Sequence, residues 1–318
     1  MLDWLAVRVV RSRLVAQGVR EFSLQSVVPD QLGAWEAGAH VRVRVQTLGR
    51  RVVERQYSLV WAAEKGKGCV IAVHRANDYG VSAFLHDHIQ VEDVLEISQP
   101  LNDFPLHPGA QRSVLIAGGI GINPILPMAY ELSGLGRPFE LHYAARSSAE
   151  MAYLTQVKAL ASPSVHLYLG DSSSRLDVGQ LAHAWRGEDH IYVCGPRGLI
   201  DAVNTEAFRV GLSQGQIHFE SFGPVSRPSD REFTVELRRS RKVLQVARGE
   251  TVLQAMTRDG LYATSDCLRG ECGVCATRFV EGEVDHRDIC LTQSDRHTAR
   301  LMTPCVSRAA GPHLVLDL

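Results

Sequence analysis

"CLRGECGVCATRF", residues 267–279, sets three cysteines within nine residues, among charged and glycine neighbours. Cys267, Cys272 and Cys275 form C-x4-C-x2-C, and Cys305 follows after 29 intervening residues. This is the ligand spacing of a plant-type [2Fe–2S] cluster, where four thiolates converge on two irons. Gly270 and Gly273 let such a loop fold back without side-chain obstruction, and its amides can then donate to the sulfides. A structural zinc site or unrelated thiols are the other readings. Zinc loops favour paired C-x2-C knuckles, however, and this chain has one. Of the remaining cysteines, Cys69 opens an apolar strand and reads as core, while Cys290 lies between the third and fourth ligands as a bystander.

The chain around this loop has 318 residues, 45% of them hydrophobic, enough for two or three separate cores. With 34 basic and 35 acidic side chains the formal charge is −1, which offers no electrostatic case for nucleic acid or an anionic membrane. No apolar run reaches the ~18–20 residues of a membrane-spanning helix. The opening "MLDWLAVRVVRSRLV" lacks the basic–apolar–small order of a signal peptide. The expectation is a cytoplasmic protein, where thiols stay reduced and a cysteine cluster points to metal rather than disulfides.

Three kinds of pattern succeed one another. Over residues 1–107, "EFSLQSV", "HVRVRVQ", "RQYSLVWA", "CVIAVHR" and "VLEISQP" are short β-prone runs, with "VSAFLHDHI" as a helical interruption. They predict a small antiparallel β-barrel. Over 108–224, nearly all-apolar strands such as "SVLIAGG" and "HIYVCGP" alternate with helical stretches, predicting an α/β domain with a covered parallel sheet. Residues 225–232 read as a linker, and 233–318 as a third domain containing the cysteine loop.

Three further motifs lie on predicted strands or at their ends. In "RQYSL", Arg55, Tyr57 and Ser58 combine an aromatic ring, a hydroxyl and a guanidinium, suited to a flat heterocycle and a phosphate. Strand packing is the bland alternative. "GGIGINP", Gly118–Pro124, follows an apolar strand and opens a helix; Asn123 reads as its N-cap and Pro124 as its first residue. Such a turn admits a dinucleotide pyrophosphate, or is simply tight. "CGP", Cys194–Pro196, ends a later strand, where open α/β sheets bind ligands.

In this order R-x-Y-S, G-G-x-G-x-x-P and C-G-P resemble the ferredoxin–NADP reductase superfamily. The C-terminal ferredoxin narrows the resemblance to the class IA oxygenase reductases, the family of phthalate dioxygenase reductase and the vanillate O-demethylase reductases. It spans essentially all 318 residues. It implies a flavin-binding barrel, a nucleotide-binding α/β domain and a β-grasp α+β [2Fe–2S] ferredoxin domain. The flavin motif would be Arg55, Tyr57 and Ser58, with His74 and Arg75 on the next strand. Gly80, Val81 and Ser82 match a phosphate-binding turn, although Val81 replaces a glycine usual in relatives. Gly118, Gly119, Gly121 and Pro124 match the nicotinamide-nucleotide loop, and Cys194, Gly195 and Pro196 the stretch near the nicotinamide. Phe222 matches an aromatic close to the flavin.

The resemblance implies FMN, with FAD as the alternative. For the coenzyme, Arg146 in "AARSS" suits a 2′-phosphate, whereas Asp171 suits an adenosine ribose; NADH is expected, with NADPH as the alternative. Hydride delivers two electrons and a [2Fe–2S] cluster takes one, so a flavin must stand between them. The expected path is NADH, FMN, [2Fe–2S] and then a Rieske-type aromatic oxygenase or O-demethylase as partner, from a monomeric reductase. Ser58, Cys194 and Phe222 are the expected residues around the hydride step. A diiron monooxygenase or another carrier as acceptor, or a non-catalytic zinc-binding sensor, are the alternatives. "HRD", His286–Asp288, is similar to a stretch in relatives and carries no assigned role.

Overall fold

The computed structural model describes residues 3–318 apart from 47–51, 64–67, 76–79, 161–163, 171–174, 223–228, 266–267, 271 and 289. The chain divides into two compact units, Met1–Ser221 and Phe222–Leu318.

The first unit begins with β1 (Trp4–Ala16), β2 (Val19–Ser26), β3 (His40–Gln46), β4 (Val52–Ala62), β5 (Gly68–His74) and β6 (Val94–Ser98). They close in the order β1-β2-β5-β4-β3-β6, with every pair antiparallel. The alternation of β3 is what closure requires: Val41, Val43 and Val45 are buried inside, while Arg44 lies over the Trp4 ring outside. Sequence reading did not include β1, because its arginines masked the pattern. Leu5, Val7 and Val9 are buried, however, so the arginines occupy the outward phase. β1 pairs with both β2 and β6 and so removes the sheet edges. Helix α1 (Gly80–His88) adds Val81 and Leu85 to the barrel core.

A parallel sheet follows in the same unit: β7 (Arg112–Gly118), β8 (Phe139–Ala145), β9 (Val165–Leu169), β10 (Asp189–Cys194) and β11 (Ile217–Glu220). Its order is β11-β10-β7-β8-β9. The connected helices are α2 (Ile122–Gly134), α3 (Leu154–Ala159), α4 (Val178–Ala182) and α5 (Arg197–Arg209). From β7 the chain moves to β8 on one side and later to β10 on the other. The carboxyl ends of β7 and β10 therefore flank a topological switch point, where such sheets bind ligands.

Two local expectations change. Helix α2 starts at Ile122, its N-cap is Gly121 without a side-chain bond, and Asn123 lies inside it. The Asn123 amide is used elsewhere: its Nδ2 donates to the Ala72 carbonyl of β5 at 2.8 Å. It ties the helix to the barrel, and the Trp61–Tyr130 edge contact at 5.1 Å adds to the tie. In "MAYLTQVKALA", one of the helical stretches of the α/β pattern, the helix begins only at Leu154, because Tyr153 takes φ +58° and breaks the helical path.

The second unit contains β12 (Phe233–Leu237), β13 (Lys242–Val246), α6 (Val252–Arg258), β14 (Thr277–Glu281), β15 (Val284–Asp285), α7 (Gln293–His297), β16 (Leu301–Met302), β17 (Arg308–Ala309) and β18 (His313–Leu316). The sheet order is β13-β12-β18-β14-β16, with β12 and β18 parallel. Helix α6, started by a Thr251–Gln254 capping box, buries Val252, Ala255 and Met256 in the core of this β-grasp unit. Asp230 lies in the stretch read as a linker, yet it is buried. Its carboxylate takes a two-point bond from Arg287 at 2.6 and 3.0 Å, geometry that compensates two desolvated charges.

Candidate functional site

In the first unit the predicted residues converge on the carboxyl ends of β10 and β11. Cys194 ends β10, between Ala117 of β7 and Glu220 of β11. From the barrel, Ser58 reaches the same place, and its Oγ donates to Glu220 Oε2 over 3.3 Å. Both side chains are buried, at 2% and 1% exposure. A buried carboxylate needs donors, so Glu220 fixes the Ser58 hydroxyl. Register sets Arg55 and Tyr57 opposite Val43 and Val41, whereas Ser58 faces His40; strand alternation thus puts Ser58 on the other face from Arg55 and Tyr57. Burial pushes the Tyr57 phenol up, so it stays neutral.

The glycines of the two loops divide the work. A Cβ on Gly121 would lie 2.1 Å from the Cys194 carbonyl oxygen, and one on Gly195 3.0 Å from Gly118 Cα. These glycines let "GGIG" and "CGP" press together. Gly119 differs: at φ +56° a Cβ there would meet nothing within 4 Å. That open space lies beside the start of α2, where a phosphate is favoured. Pro124 is buried in the first turn of α2, and Pro196 is the N-cap of α5.

The remaining predicted residues each have their own surroundings. Arg75 pairs with Asp87 of α1 at 2.5 Å. His74 is exposed at the end of β5, and burial followed by the Arg146 charge lowers its pKa. The Arg146 guanidinium pairs with Glu150 at 2.8 Å and stays largely exposed. Gly80 opens α1 and Ser82 is half-buried in it, while the Val81 side chain belongs to the barrel core. Phe222 is half-buried at the start of the second unit. Asp171 and Cys267 lie outside the described residues.

In the second unit Cys275 and Cys305 bring their sulfurs to 3.3 Å, both buried, while Cys272 is exposed. The hydrogen bond between the two sulfurs lowers Cys275 to about 7, toward the thiolate that binds metal. Gly270 takes φ +73°, and a Cβ there would lie 2.6 Å from Val306 Cγ2 and 2.9 Å from Asp288 Cα. Only glycine permits both the turn and this approach. Converging thiols on a loop held this tightly fit a four-thiolate cluster. Cys69 fits its core reading, since burial raises it to about 12.

Sequence reasoning missed Glu220 and Asp288. Glu220 stands in "HFESF", where attention went to Phe222; a carboxylate ending an otherwise apolar strand was the available signal. Asp288 stands in the unassigned "HRD" and is fully buried.

Comparison with known proteins gives a consistent picture. The family described as "2Fe-2S iron-sulfur cluster binding domain" matches residues 235–310. The chain is 38% identical to the heme-dependent oxidative N-demethylase beta subunit of Ectopseudomonas mendocina (strain ymp), over 100% of both chains. It is also 38% identical to the vanillate O-demethylase oxidoreductase of Pseudomonas sp. (strain HR199 / DSM 7063), over 96% of this chain and 97% of the relative. Among solved structures, phthalate dioxygenase reductase, described as modular for electron transfer from pyridine nucleotides to [2Fe–2S], superposes with a TM-score of 0.74. Its identity is 32%, over 99% of this chain and 98% of that one.

Proposed function

The chain belongs to the oxygenase reductase family that includes phthalate dioxygenase reductase and the vanillate O-demethylase oxidoreductases, and from that premise we propose that it is the NADH-dependent reductase component of a Rieske-type aromatic oxygenase or O-demethylase system. Electrons pass from NADH through FMN and a [2Fe–2S] cluster to the oxygenase. The observation that carries the reading is the buried Cys275–Cys305 pair at 3.3 Å, in a chain whose parallel sheet also has a topological switch point between β7 and β10. No helix among the described residues is long and apolar enough to cross a membrane; the reading includes a cytoplasmic monomer.

When bound, the flavin supplies conversion of a hydride's electron pair into single electrons, and the cluster supplies single-electron storage. The chain supplies position. Gly119 leaves room for pyrophosphate at the start of α2, and Cys194, Gly195 and Pro196 form the wall on which a nicotinamide rests. Ser58 Oγ, its proton given to Glu220, would turn its lone pairs to the flavin edge, with Arg55, Tyr57, His74, Arg75, Gly80 and Ser82 along the rest of the cofactor. With reactants held in this way, catalysis needs orientation more than acid or base groups. Cys267, Cys272, Cys275 and Cys305 hold the cluster.

A second acceptor class has a specific observation behind it: the relative named as a heme-dependent N-demethylase subunit matches over the whole length. The test is stoichiometric. Purified protein should contain flavin and two irons, and NADH should bleach both chromophores. It should then support turnover by an aromatic O-demethylase oxygenase more than by a heme demethylase. Absence of iron or flavin, or a cluster left oxidised by NADH, would overturn the reading.

A further inference from the structure

Asp288 is buried to 0% exposure directly behind the cysteine loop. Three elements meet on it. From the loop, Gly270 packs so closely that its Cβ would lie 2.9 Å from Asp288 Cα. From the Cys305 segment, Ser307 Oγ donates to Oδ1 at 3.2 Å and also accepts from the Arg287 backbone at 3.1 Å. From α7, Arg296 Nη2 donates to Oδ2 at 3.1 Å and to the Asp288 carbonyl at 3.0 Å. The Leu291 backbone N–H also donates to Oδ2, at 3.1 Å. Those donors suit a carboxylate, an acceptor-only group when ionised. His286 Nδ1 lies 3.3 Å from Oδ1, and burial lowers its pKa, so it adds no charge above its ordinary range.

We propose that Asp288 is a positioning residue for the iron–sulfur cluster: it clamps the loop carrying Cys272 and Cys275 to the segment carrying Cys305, and its charge, partly balanced by Arg296, lowers the cluster's reduction potential. The inference rests on the functional reading above. The physical reason is sign and medium. Reduction adds an electron to the cluster, and a fixed anion in a poorly screened interior opposes it, whereas a cation favours it.

Two substitutions separate this effect from simple loosening. Asp288→Asn keeps the shape and removes the negative charge; Arg296→Gln, at a site 22% exposed, removes the balancing positive charge. Reductive titration at pH 8, where His286 is neutral, reads the one-electron potential of each holoprotein. The expected outcome is a shift in opposite directions. Asp288→Asn should favour the reduced cluster about tenfold, or about 59 mV upward for one electron, and Arg296→Gln should disfavour it by a smaller factor. Faster iron release from Asp288→Asn on incubation with a chelator reads the clamp. Unchanged potentials, or shifts of the same sign in both variants, would overturn the inference while leaving NADH-driven reduction of the wild type, and so the functional reading, intact. If Asp288→Asn does not retain its cluster, Arg296→Gln alone decides through the sign of its shift. A wild-type protein purified without a cluster would remove both.

Discussion

The cysteine loop and the strand-end site are assembled in opposite ways. Three of the four cysteines fall within nine residues, so the chain itself sets their separation. Ser58 and Glu220 stand 162 positions apart and meet at 3.3 Å only because a barrel strand and a sheet strand end at one place. In the first case spacing is already geometry. In the second, topology makes the site, and no local pattern contains it. The sharpest break of this contrast is Cys305→Ser, which removes the ligand brought from outside the loop. It should abolish the cluster absorbance and all transfer to the oxygenase, while NADH oxidation with ferricyanide continues. Cys290→Ser, altering a thiol of the same region, should leave both intact. Survival of the cluster in Cys305→Ser would refute the ligand set.

At the strand-end site the comparable stress is on packing. Gly121→Ala sets a Cβ 2.1 Å from the Cys194 carbonyl, a backbone atom that cannot rotate away, and should destabilise the first unit by about 3 kcal/mol. Gly119→Ala meets no atom but keeps φ +56°, so about 1 kcal/mol is expected, with the main effect on NADH affinity. All four tryptophans (Trp4, Trp35, Trp61 and Trp185) belong to the first unit. Urea unfolding followed by tryptophan fluorescence therefore reads this unit alone. Equal midpoints for the two variants would contradict the division of labour between the glycines.

Acid should also act on the first unit. Burial, then His166, lowers His142 to about 4; burial, then His190, lowers His218 to about 4. His142 is faced by Glu140, Arg112 and Tyr168, and His218 by His190, His107 and Tyr192. Each ring is held neutral in the fold but protonates freely once unfolded. The stability this contributes is complete above pH 6.5 and is lost as pH falls from 6.5 toward 4, on the order of 1–3 kcal/mol in all after solvent screening. The urea midpoint by tryptophan fluorescence should fall between pH 8 and pH 5. A flat profile would show that these rings do not titrate across unfolding.

What was legible in the sequence follows the same division. Strict alternation in "HVRVRVQ" gave β3 with its inward valines, and the all-apolar "SVLIAGG" gave β7, because period and composition are local. β1 escaped because outward arginines interrupt a pattern that only barrel closure explains. Asn123 was read as a cap because a cap is the nearest use for its amide, whereas its partner is Ala72, on another strand. Asp230 looked like linker because its charge suggests solvent until Arg287, 57 positions away, is known to cover it. Glu220 and Asp288 failed to stand out for a related reason: a buried carboxylate is recognised by its donors, and Ser58 lies 162 positions from Glu220 while Ser307 lies 19 from Asp288.

The smallest expected effect tests whether Ser58 and Glu220 work as a unit. Ser58→Ala removes the oriented hydroxyl while leaving the barrel strand and the NADH wall in place. It should slow reduction of the protein by NADH about tenfold, roughly 1.4 kcal/mol of barrier, with KM for NADH and the cluster spectrum unchanged. Glu220→Gln keeps a hydrogen-bond acceptor but removes the charge that orients the hydroxyl, so its effect should be smaller, about threefold. Because Glu220 acts through Ser58, the double variant should be no slower than Ser58→Ala alone, the non-additivity of residues sharing one interaction. Stopped-flow reduction of the four proteins closes the cycle. If the two losses multiply, Glu220 has a role of its own, and the 3.3 Å contact is proximity without function.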